Sequence, residues 1–324
     1  MSSPTTVAIP VRNGGPALAR TLAAIETQRT DRPVEVLVCD SGSSDGSREL
    51  ARRYGAQVIE IQPSQFSHGG TRNLLMERSR GEHVVFLTQD SVPADDLWLS
   101  RLLDGFGLAP DVGLVFGPYL PWSNASAMVQ RELTDWFGSF SPDGSPRIDR
   151  LESFERDTPS RTLLGRRGFF TDANGCVARA AWERTPFRDV PYAEDHVIAH
   201  DMMRAGFAKV FMPQAAVIHS HDYSAWGWLR RSFDEARSLQ AVYGWSEPLH
   251  PLTVLLNIWG RVGADWRWAR ARPDRDDGAV AALALLGGST VHHTARTAGA
   301  VLGARAQRLP QALVRRLSLE RRTD

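Results

Sequence analysis

Residues Val84–Pro93, with the sequence VVFLTQDSVP, join a continuous apolar run to an abrupt polar end. An apolar run of this kind is typical of a strand that is buried on both faces. Pro93 cannot donate a backbone hydrogen bond to a neighbouring strand, so the strand is expected to end before it. Asp90 therefore lies at the carboxyl end of a buried strand, where open α/β sheets bind ligands. A carboxylate there can hold a divalent cation, or it can simply cap the next helix.

Strand-like and helix-like segments alternate on both sides of this stretch. Apolar runs predict strands at 6–10, 34–39, 57–61, 84–87 and 112–116. Apolar residues at helical spacing and helix-start signals predict helices at 17–28, 45–54, 71–80 and 95–106. The alternation is typical of an α/β protein with a mostly parallel sheet flanked by helices, whose ligand site lies at the carboxyl ends of the strands.

Beyond residue 118 the pattern is less regular. Residues 120–165, rich in Pro, Ser and charge, predict loops and short helices over the site. A strand within 168–178, a helix at 194–206 and a short strand at 210–212 follow, and helices are predicted from residue 225. We therefore predict a catalytic domain at 1–224, with a nucleotide-binding half at about 1–118 and an acceptor and metal half at about 119–224. A helical C-terminal region, rich in Arg and Trp, follows at 225–324.

The composition excludes several classes of protein. An apolar content of 42% and a charged content of 23% are ordinary for a globular protein in water. Two cysteines do not form a disulfide framework, and a net charge of +1 disfavours a general nucleic-acid binder. The polar first six residues lack the pattern of a signal peptide, so a cytoplasmic protein is expected.

A second acid follows a buried strand at Asp40, in the sequence VCDSGSSDGS. Its carboxylate can accept a hydrogen bond from a nucleobase or a ribose, and Gly42 and Ser43 follow in a tight turn. Asp45 is expected to cap the next helix. A turn and a helix cap without further function would have the same sequence, but Asp90 provides a partner acid at the end of another strand.

The sequence FSHGGTRN, from Phe66, supplies groups that suit an anion. Gly69 lets backbone amides come close to a phosphate, Arg72 can form a charge-assisted fork, and His68 can contact a phosphate or a sugar hydroxyl. Thr71 is expected to cap the following helix. The order of residues matches neither a P-loop nor a dinucleotide fingerprint, and an ordinary loop before a helix is the competing interpretation.

Two further motifs carry acids and imidazoles. Glu194 and Asp195 open a predicted helix, where they either favour the helix dipole or divide the work of orienting an acceptor and taking its proton. His219 and His221 follow an apolar strand and, as alternate residues, share a face. Imidazole suits Mn²⁺ better than Mg²⁺, although polar residues at a strand end would look the same.

Taken in this order, the motifs resemble those of the family 2 glycosyltransferases of the GT-A fold, and within them the bacterial rhamnosyltransferase branch. The resemblance extends over roughly residues 5–245. It is carried by AIPVRNGG, VCDSGSSDGS, FSHGGTRN, FLTQDSVP, AEDH and HSHDYS. The pair FSHGGTRN and LTQD points towards the rhamnosyl branch.

The resemblance implies a role for each matching residue. Asp195 is implied as the catalytic base, with Glu194 beside it. The residues implied in nucleotide and donor binding are Pro10, Arg12, Asn13, Asp40, Gly42, Ser43, His68, Gly69, Arg72, Asn73 and Gln89.

The resemblance also implies a divalent cation, Mn²⁺ or Mg²⁺, held by Asp90 with His219 and His221. The first acid of the usual Asp-x-Asp motif is absent, since Thr88 occupies its position. One carboxylate must then anchor the cation, with oxygens of the diphosphate completing its coordination.

The activity implied is an inverting, metal-dependent transfer of a sugar, with L-rhamnose from dTDP-rhamnose preferred, to a hydroxyl of a glycan or polyprenyl-linked acceptor. Polysaccharide and cell-wall synthesis are the expected settings. The same chemistry with a UDP- or GDP-sugar is the nearest alternative. A sugar nucleotidyltransferase and a catalytically silent nucleotide-sugar-binding protein are further alternatives.

The C-terminal region is basic, with 15 arginines against nine acidic residues in 225–324. Leu252, Leu255, Leu256, Trp259 and Val262 are predicted to share one helical face. That face suits either contact with the inner surface of a membrane or a helical subdomain packed on the core or on a second copy, and we slightly prefer the packed subdomain.

Overall fold

The computed structural model describes residues 4–157, 163, 165–190, 192–272 and 278–319. These residues form two compact units. Unit 1 comprises Met1–Leu120, Trp136–Val190 and Glu194–His219, and unit 2 comprises Pro121–Asp135, Pro191–Ala193 and Ser220–Asp324. The functional division at residue 224 stays a prediction.

Unit 1 contains the strands. They are β1 (Thr5–Val11), β2 (Val34–Asp40), β3 (Gln57–Glu60), β4 (His83–Leu87), β5 (Val92–Pro93), β6 (Val112–Phe116), β7 (Tyr119–Leu120), β8 (Arg147–Asp149), β9 (Asn174–Ala178), β10 (Ala208–Phe211) and β11 (Val217–Ile218).

The helices divide between the units. In unit 1 are α1 (Gly15–Glu26), α2 (Ser47–Arg53), α3 (His68–Arg78), α4 (Trp98–Asp104), α6 (Arg179–Arg184) and α7 (Glu194–Arg204). Helix α5 (Ala127–Gly138) passes from unit 2 into unit 1. In unit 2 are α8 (Ala225–Tyr243), α9 (Pro251–Arg270), α10 (Ala279–Gly303) and α11 (Gln311–Leu317).

An eight-stranded sheet in the order β3-β2-β1-β4-β9-β6-β10-β8 forms the centre of unit 1. The pairs β3–β2, β2–β1, β1–β4 and β6–β10 are parallel, whereas β9 runs antiparallel to both β4 and β6. Buried strands such as Val84–Leu87, whose side chains are fully enclosed, explain the continuous apolar runs of the sequence. A small sheet, β5-β11-β7, lies where the chain leaves β4 and β6.

Two details differ from the sequence-based expectations. Residues 120–165 contain the 12-residue helix α5 and the strand β8, rather than loops and short helices alone. Helix α3 begins at His68, and the side chain of Ser67 caps it by accepting a hydrogen bond from the Gly70 amide. Thr71 lies within the helix, so the predicted cap at Thr71 is wrong.

Unit 2 depends on close packing of α8 against α10. A Cβ atom built on Gly299 would lie 2.1 Å from the carbonyl oxygen of Leu229, and one on Gly303 would lie 2.1 Å from that of Phe233. Since no real Cβ comes so close to an oxygen, only glycine lets these two backbones touch. Among the described helices, none has the length and apolar composition needed to cross a membrane.

Helix α9 exposes four of its large apolar side chains. Leu252, Leu255, Leu256 and Trp259 are each more than half exposed, and they recur at the i, i+3, i+4 and i+7 spacing of one helical face. Val262, the fifth residue of the predicted helical face, is buried, so the exposed part of that face consists of the other four. The exposed set is called the α9 apolar face below.

Lys209, the only lysine of the chain, is fully buried on β10. Its Nζ lies 2.9 Å from Oδ2 of Asp149, its register partner on β8, and faces the ring of Phe116. Burial lowers the pKa of Lys209 to about 8, although Asp149 acts in the opposite direction. Arg147 also contacts Asp149, through a hydrogen bond of 2.8 Å.

We expect Asp149→Ala to lower the free energy of unfolding by about 3 kcal/mol, because it leaves the Lys209 ammonium buried without a counter-charge. Lys209→Met is expected to cost less, since Asp149 keeps Arg147 as its partner. Urea unfolding of the two variants tests the order of the effects. Equal losses would contradict the assignment of Lys209 as the dependent partner.

Candidate active site

Three loops of unit 1 meet beyond the carboxyl ends of β1, β2 and β4. The amide of Arg12 donates a hydrogen bond of 2.9 Å to Oε1 of Gln89. The Asn13 amide donates to Oγ of Ser43 at 2.8 Å, and Oδ1 of Asn13 accepts from the Ser44 amide at 2.9 Å. The predicted nucleotide-binding residues of these loops are therefore brought together at one edge of the sheet, as expected for a parallel arrangement.

Asp40 ends β2 with a buried carboxylate. Its Oδ1 accepts hydrogen bonds from the amides of Gly42 (3.1 Å) and Ser43 (3.0 Å), and Gly42 adopts a φ of +89°, which favours glycine. Among the described residues, its buried Oδ2 has no hydrogen-bond partner. A buried carboxylate oxygen without a donor is rare, so this atom suits a donor group of a ligand. Pro10 lies half-buried on β1, in register with Cys39.

The residues around Gly69 and Asn73 hold local structure together. A Cβ on Gly69 would lie 2.2 Å from the carbonyl oxygen of Arg188, so the absence of a side chain serves close packing. The Asn73 amide donates to the carbonyl of Phe187 at 2.8 Å and accepts from the indole of Trp182 at 2.8 Å. Both the nitrogen and the oxygen of the Asn73 side-chain amide thus bond to other protein groups, which gives Asn73 a structural role. The contacts of Gly69 and Asn73 with the sugar donor stay predictions.

Arg72, on α3, lies at the centre of a buried cluster of charges. Its guanidinium forms ion pairs with Asp172 and with Glu194, whose Oε1 lies 2.9 Å from Nη1. The side chains of all three residues are at most 7% exposed. His68 adds Nδ1 at 3.7 Å from the same oxygen of Glu194. The predicted contact of Arg72 with a diphosphate stays a prediction, since the structure turns its nitrogens towards carboxylates.

The pKa values of the carboxyl groups in this cluster are shifted in opposite directions. Burial raises the pKa of Asp172 well above its usual range, despite the opposing charge of Arg72. Burial also raises the pKa of Asp195, and the charge of Glu194 adds to the effect. Glu194 is the exception, because Arg72 and His68 outweigh its burial and lower its pKa. Neighbouring carboxyl groups with pKa values shifted in opposite directions are typical of sites where side chains transfer protons.

Asp195 is more exposed than its neighbour Glu194, although both begin α7. Its Oδ1 accepts a hydrogen bond of 2.8 Å from the amide of His196, which fixes the carboxylate at the start of the helix. The two acids therefore have different environments: Glu194 is buried and held by Arg72, whereas Asp195 is half-buried and has a raised pKa.

Asp172 belongs to this cluster and is not among the residues predicted from the sequence. The predicted acids at Asp40 and Asp90 follow strands, whereas Asp172 precedes β9. Because β9 runs antiparallel to β4 and β6, its amino end lies at the edge where their carboxyl ends lie. An acid just before a strand of unknown direction gives no comparable signal in the sequence.

A second pair of groups lies near the end of β4. His219 follows β11 and donates its amide to the carbonyl of Leu120, which brings its Nδ1 to 3.6 Å from Oδ1 of Asp90. Asp90 is 28% exposed, and the ring of Tyr119 packs edge-on against His219. A carboxylate oxygen with an imidazole nitrogen is a donor set that suits Mn²⁺. His221 lies in unit 2, where it stacks on Tyr223.

Known proteins are similar to this chain in sequence and in fold. Residues 6–160 match the model of the glycosyl transferase family 2. The chain is 28% identical over 233 residues to the O-antigen chain rhamnosyltransferase WbaN of Salmonella anatum, covering 71% of this chain and 70% of that protein. It is 27% identical over 237 residues to the N-acetylglucosaminyl-diphospho-decaprenol L-rhamnosyltransferase of Mycobacterium tuberculosis, covering 65% and 74%.

Among solved structures, the mannosyltransferase PcManGT from Pyrobaculum calidifontis, in complex with GDP-Man and Mn²⁺, is similar with a TM-score of 0.59. The match covers 94% of this chain and 87% of that one, at 18% identity. At this identity the likeness shows the fold alone, which agrees with the parallel sheet and flanking helices of unit 1. Residues 6–160 thus form a family 2 glycosyltransferase domain, in a chain that has the GT-A fold and is similar to rhamnosyltransferases.

Proposed function

We propose that this enzyme transfers L-rhamnose from dTDP-rhamnose to a hydroxyl of a glycan or lipid-linked acceptor, with inversion at the anomeric carbon. The observation that carries the proposal is the pair Glu194–Asp195, in which one carboxylate is held by Arg72 and the other is half-buried with a raised pKa. The two rhamnosyltransferases to which the chain is similar support L-rhamnose as the sugar.

Asp40 is proposed to bind the nucleobase. Its buried Oδ2 accepts no hydrogen bond from the described protein residues, and a ring N–H of a base would satisfy it. Thymine and uracil both present such an N–H, so this contact supports a nucleoside diphosphate without selecting dTDP. The loops of Arg12, Asn13 and Gln89 are proposed to surround the donor, since they are bonded to one another beside Asp40.

Asp90 and His219 are proposed to hold the divalent cation, because their ligand atoms lie 3.6 Å apart and are of suitable chemistry. The role of His221 as a further ligand stays a prediction from the sequence. When bound, Mn²⁺ or Mg²⁺ supplies positive charge that stabilises a leaving diphosphate. With a single acid in the motif, the protein alone is expected to bind the cation weakly, and the donor phosphates are expected to strengthen the binding.

Asp195 is proposed to accept the proton of the acceptor hydroxyl as that oxygen attacks the anomeric carbon. Attack from the face opposite the diphosphate inverts the configuration and requires no covalent intermediate on the protein. The raised pKa of Asp195 makes it a stronger base than an ordinary aspartate, and Glu194 remains ionised beside it. Arg72 positions Glu194 and balances its charge.

Unit 2 is proposed to bind an anionic membrane surface, where a polyprenyl-linked acceptor would lie, through the α9 apolar face. Four exposed apolar side chains on one helical face and an excess of arginine over acidic residues in 225–324 match the chemistry of such a surface. This contact would make the protein peripheral on the inner face of the membrane.

The donor and the cation are tested together by calorimetric titration with dTDP, UDP and GDP, each with and without Mn²⁺. We expect the tightest binding for dTDP with Mn²⁺, and we expect Asp90→Ala to remove the effect of Mn²⁺. Asp96→Ala is the matched control, because Asp96 is a surface acid paired with Arg29. Preference for UDP or GDP would change the donor, and an Mn²⁺ effect that survives Asp90→Ala would contradict the metal role.

The base is tested by Asp195→Asn, which keeps the shape but cannot accept the proton. We expect kcat to fall by about 10²–10⁴-fold while donor affinity is retained, since general-base assistance is typically of this size. Asp201→Asn, on the same helix, is the control and should retain most activity. Near-normal turnover of Asp195→Asn would exclude it as the base.

The same assignment predicts the pH dependence of the wild-type enzyme. A base must be deprotonated, so kcat/KM should fall as the pH drops through the pKa of Asp195. Because burial raises that pKa, the acidic limb is expected above the usual aspartate value of about 4. An acidic limb at or below pH 4 would contradict the role of Asp195.

Membrane contact is tested by flotation with vesicles of phosphatidylglycerol or of phosphatidylcholine. We expect the wild-type protein to float with the phosphatidylglycerol vesicles and not with the phosphatidylcholine vesicles. The double variant Leu256→Ser, Trp259→Ser is expected to float with neither. Leu108→Ser removes an exposed leucine of unit 1 and should float like the wild type. A wild-type protein that does not float, or that covers the α9 apolar face by forming dimers, would contradict the proposal.

A further inference from the structure

A cluster of histidine and carboxylate side chains in unit 2 has no role in the transfer reaction described above. Glu132 lies on α5, Asp265 on α9, and His292 and His293 are adjacent on α10. We propose that Glu132, His292 and His293 bind a zinc ion that joins α5 to α10, independently of the transferase cation.

The separations of the three ligand groups suit a tetrahedral ion. Nε2 of His292 lies 3.5 Å from Oε2 of Glu132, and Nδ1 of His293 lies 3.8 Å from Oε1. One ligand atom from each of the three residues lies within 4.8 Å of the others. Ligands about 2.1 Å from a tetrahedral zinc are about 3.4 Å apart, so small side-chain movements would complete the site.

The two imidazole nitrogens that face Glu132 are buried without hydrogen bonds. His292 is 4% exposed and His293 is 0% exposed, and neither Nε2 of His292 nor Nδ1 of His293 has a hydrogen-bond partner among the described residues. Buried polar atoms normally have a partner, so two such atoms pointing to one carboxylate indicate a missing ligand. A zinc ion accepts the lone pairs of both.

The groups around the cluster orient His293 as a ligand. Oδ2 of Asp265 lies 2.7 Å from Nε2 of His293, and this carboxylate is fixed by Ser289 at 2.5 Å and by Arg131. A hydrogen bond from Nε2–H to Asp265 leaves Nδ1 of His293 with its lone pair directed at Glu132. A carboxylate behind a metal-binding histidine is a common outer-shell arrangement.

Guanidinium groups pair with both carboxylates of the cluster. Arg296 forms an ion pair with Glu132, and Arg131 forms one with Asp265. The two guanidinium groups balance the two carboxylates, so zinc is expected to bind more weakly than at an all-thiolate site.

The chemistry of the ligands selects the ion. Two imidazoles and one carboxylate suit zinc, and a water molecule would take the fourth position. Because the ligands come from α5 and α10, the ion would bind the folded unit and stabilise it by mass action. The site is thus structural, and its ligands differ from Asp90 and His219.

Cobalt titration of the full-length protein tests the site. The protein carries Asp90→Ala, is freed of metal by a chelator, and is titrated with Co²⁺ without nucleotide. We expect the visible absorption of one tetrahedral Co²⁺ per chain, its loss when Zn²⁺ is added, and a Tm that rises with Zn²⁺ concentration. Using Asp90→Ala removes the transferase cation, so the outcome does not depend on the proposed function.

Ligand variants in the same background locate the ion. Glu132→Gln and His292→Ala should each weaken Co²⁺ binding at least tenfold, whereas His250→Ala, which alters an exposed histidine at the start of α9, should not. If His292→Ala does not fold, Glu132→Gln serves alone, since it keeps the shape of the side chain. A folded protein without the tetrahedral absorption, or an absorption that both ligand variants retain, would overturn the proposal and leave a metal-free network of ion pairs.

Discussion

The arrangement of the candidate active site depends on the buried guanidinium of Arg72. It joins Asp172, which precedes β9, to Glu194, which begins α7, so a residue of α3 holds together segments that are distant in the chain. Without it, two buried carboxylates would face each other, and burial penalises each negative charge. The position of Asp195 follows from that of Glu194, its neighbour on the same helix turn.

Much of the fold could be predicted because its signals are local. The fold class is confirmed, and β6 occupies the predicted residues Val112–Phe116, since a buried strand requires an unbroken apolar run. Helix α5 was missed because it lies in a segment rich in Pro and Ser, and its apolar residues contact partners that the pattern alone does not identify. The direction of β9 is a property of non-local pairing, which a single sequence does not reveal.

Part of the candidate site could be predicted for the same reason. Asp40 and Asp90 each follow an apolar strand, and the loop after β1 joins their loops, through Asn13 to Ser43 and through Arg12 to Gln89. Asp172 was not predicted because β9 is antiparallel to its neighbours. The acid that reaches this edge of the sheet therefore precedes the strand, whereas Asp40 and Asp90 follow theirs. The cluster of Glu132 with His292 and His293 depends on the packing of separate helices, so the spacing of these residues in the sequence does not predict it.

The burial of Lys209 has a practical consequence for work with this enzyme. Since it is the only lysine in the sequence and is fully enclosed, the folded protein offers no side-chain amine at its surface. Succinimidyl dyes, amine-coupled sensor chips and lysine cross-linkers would therefore react at a chain terminus or not at all. Labelling at Lys209 would instead report that unit 1 had opened, which makes an ordinary amine reagent a probe of unfolding.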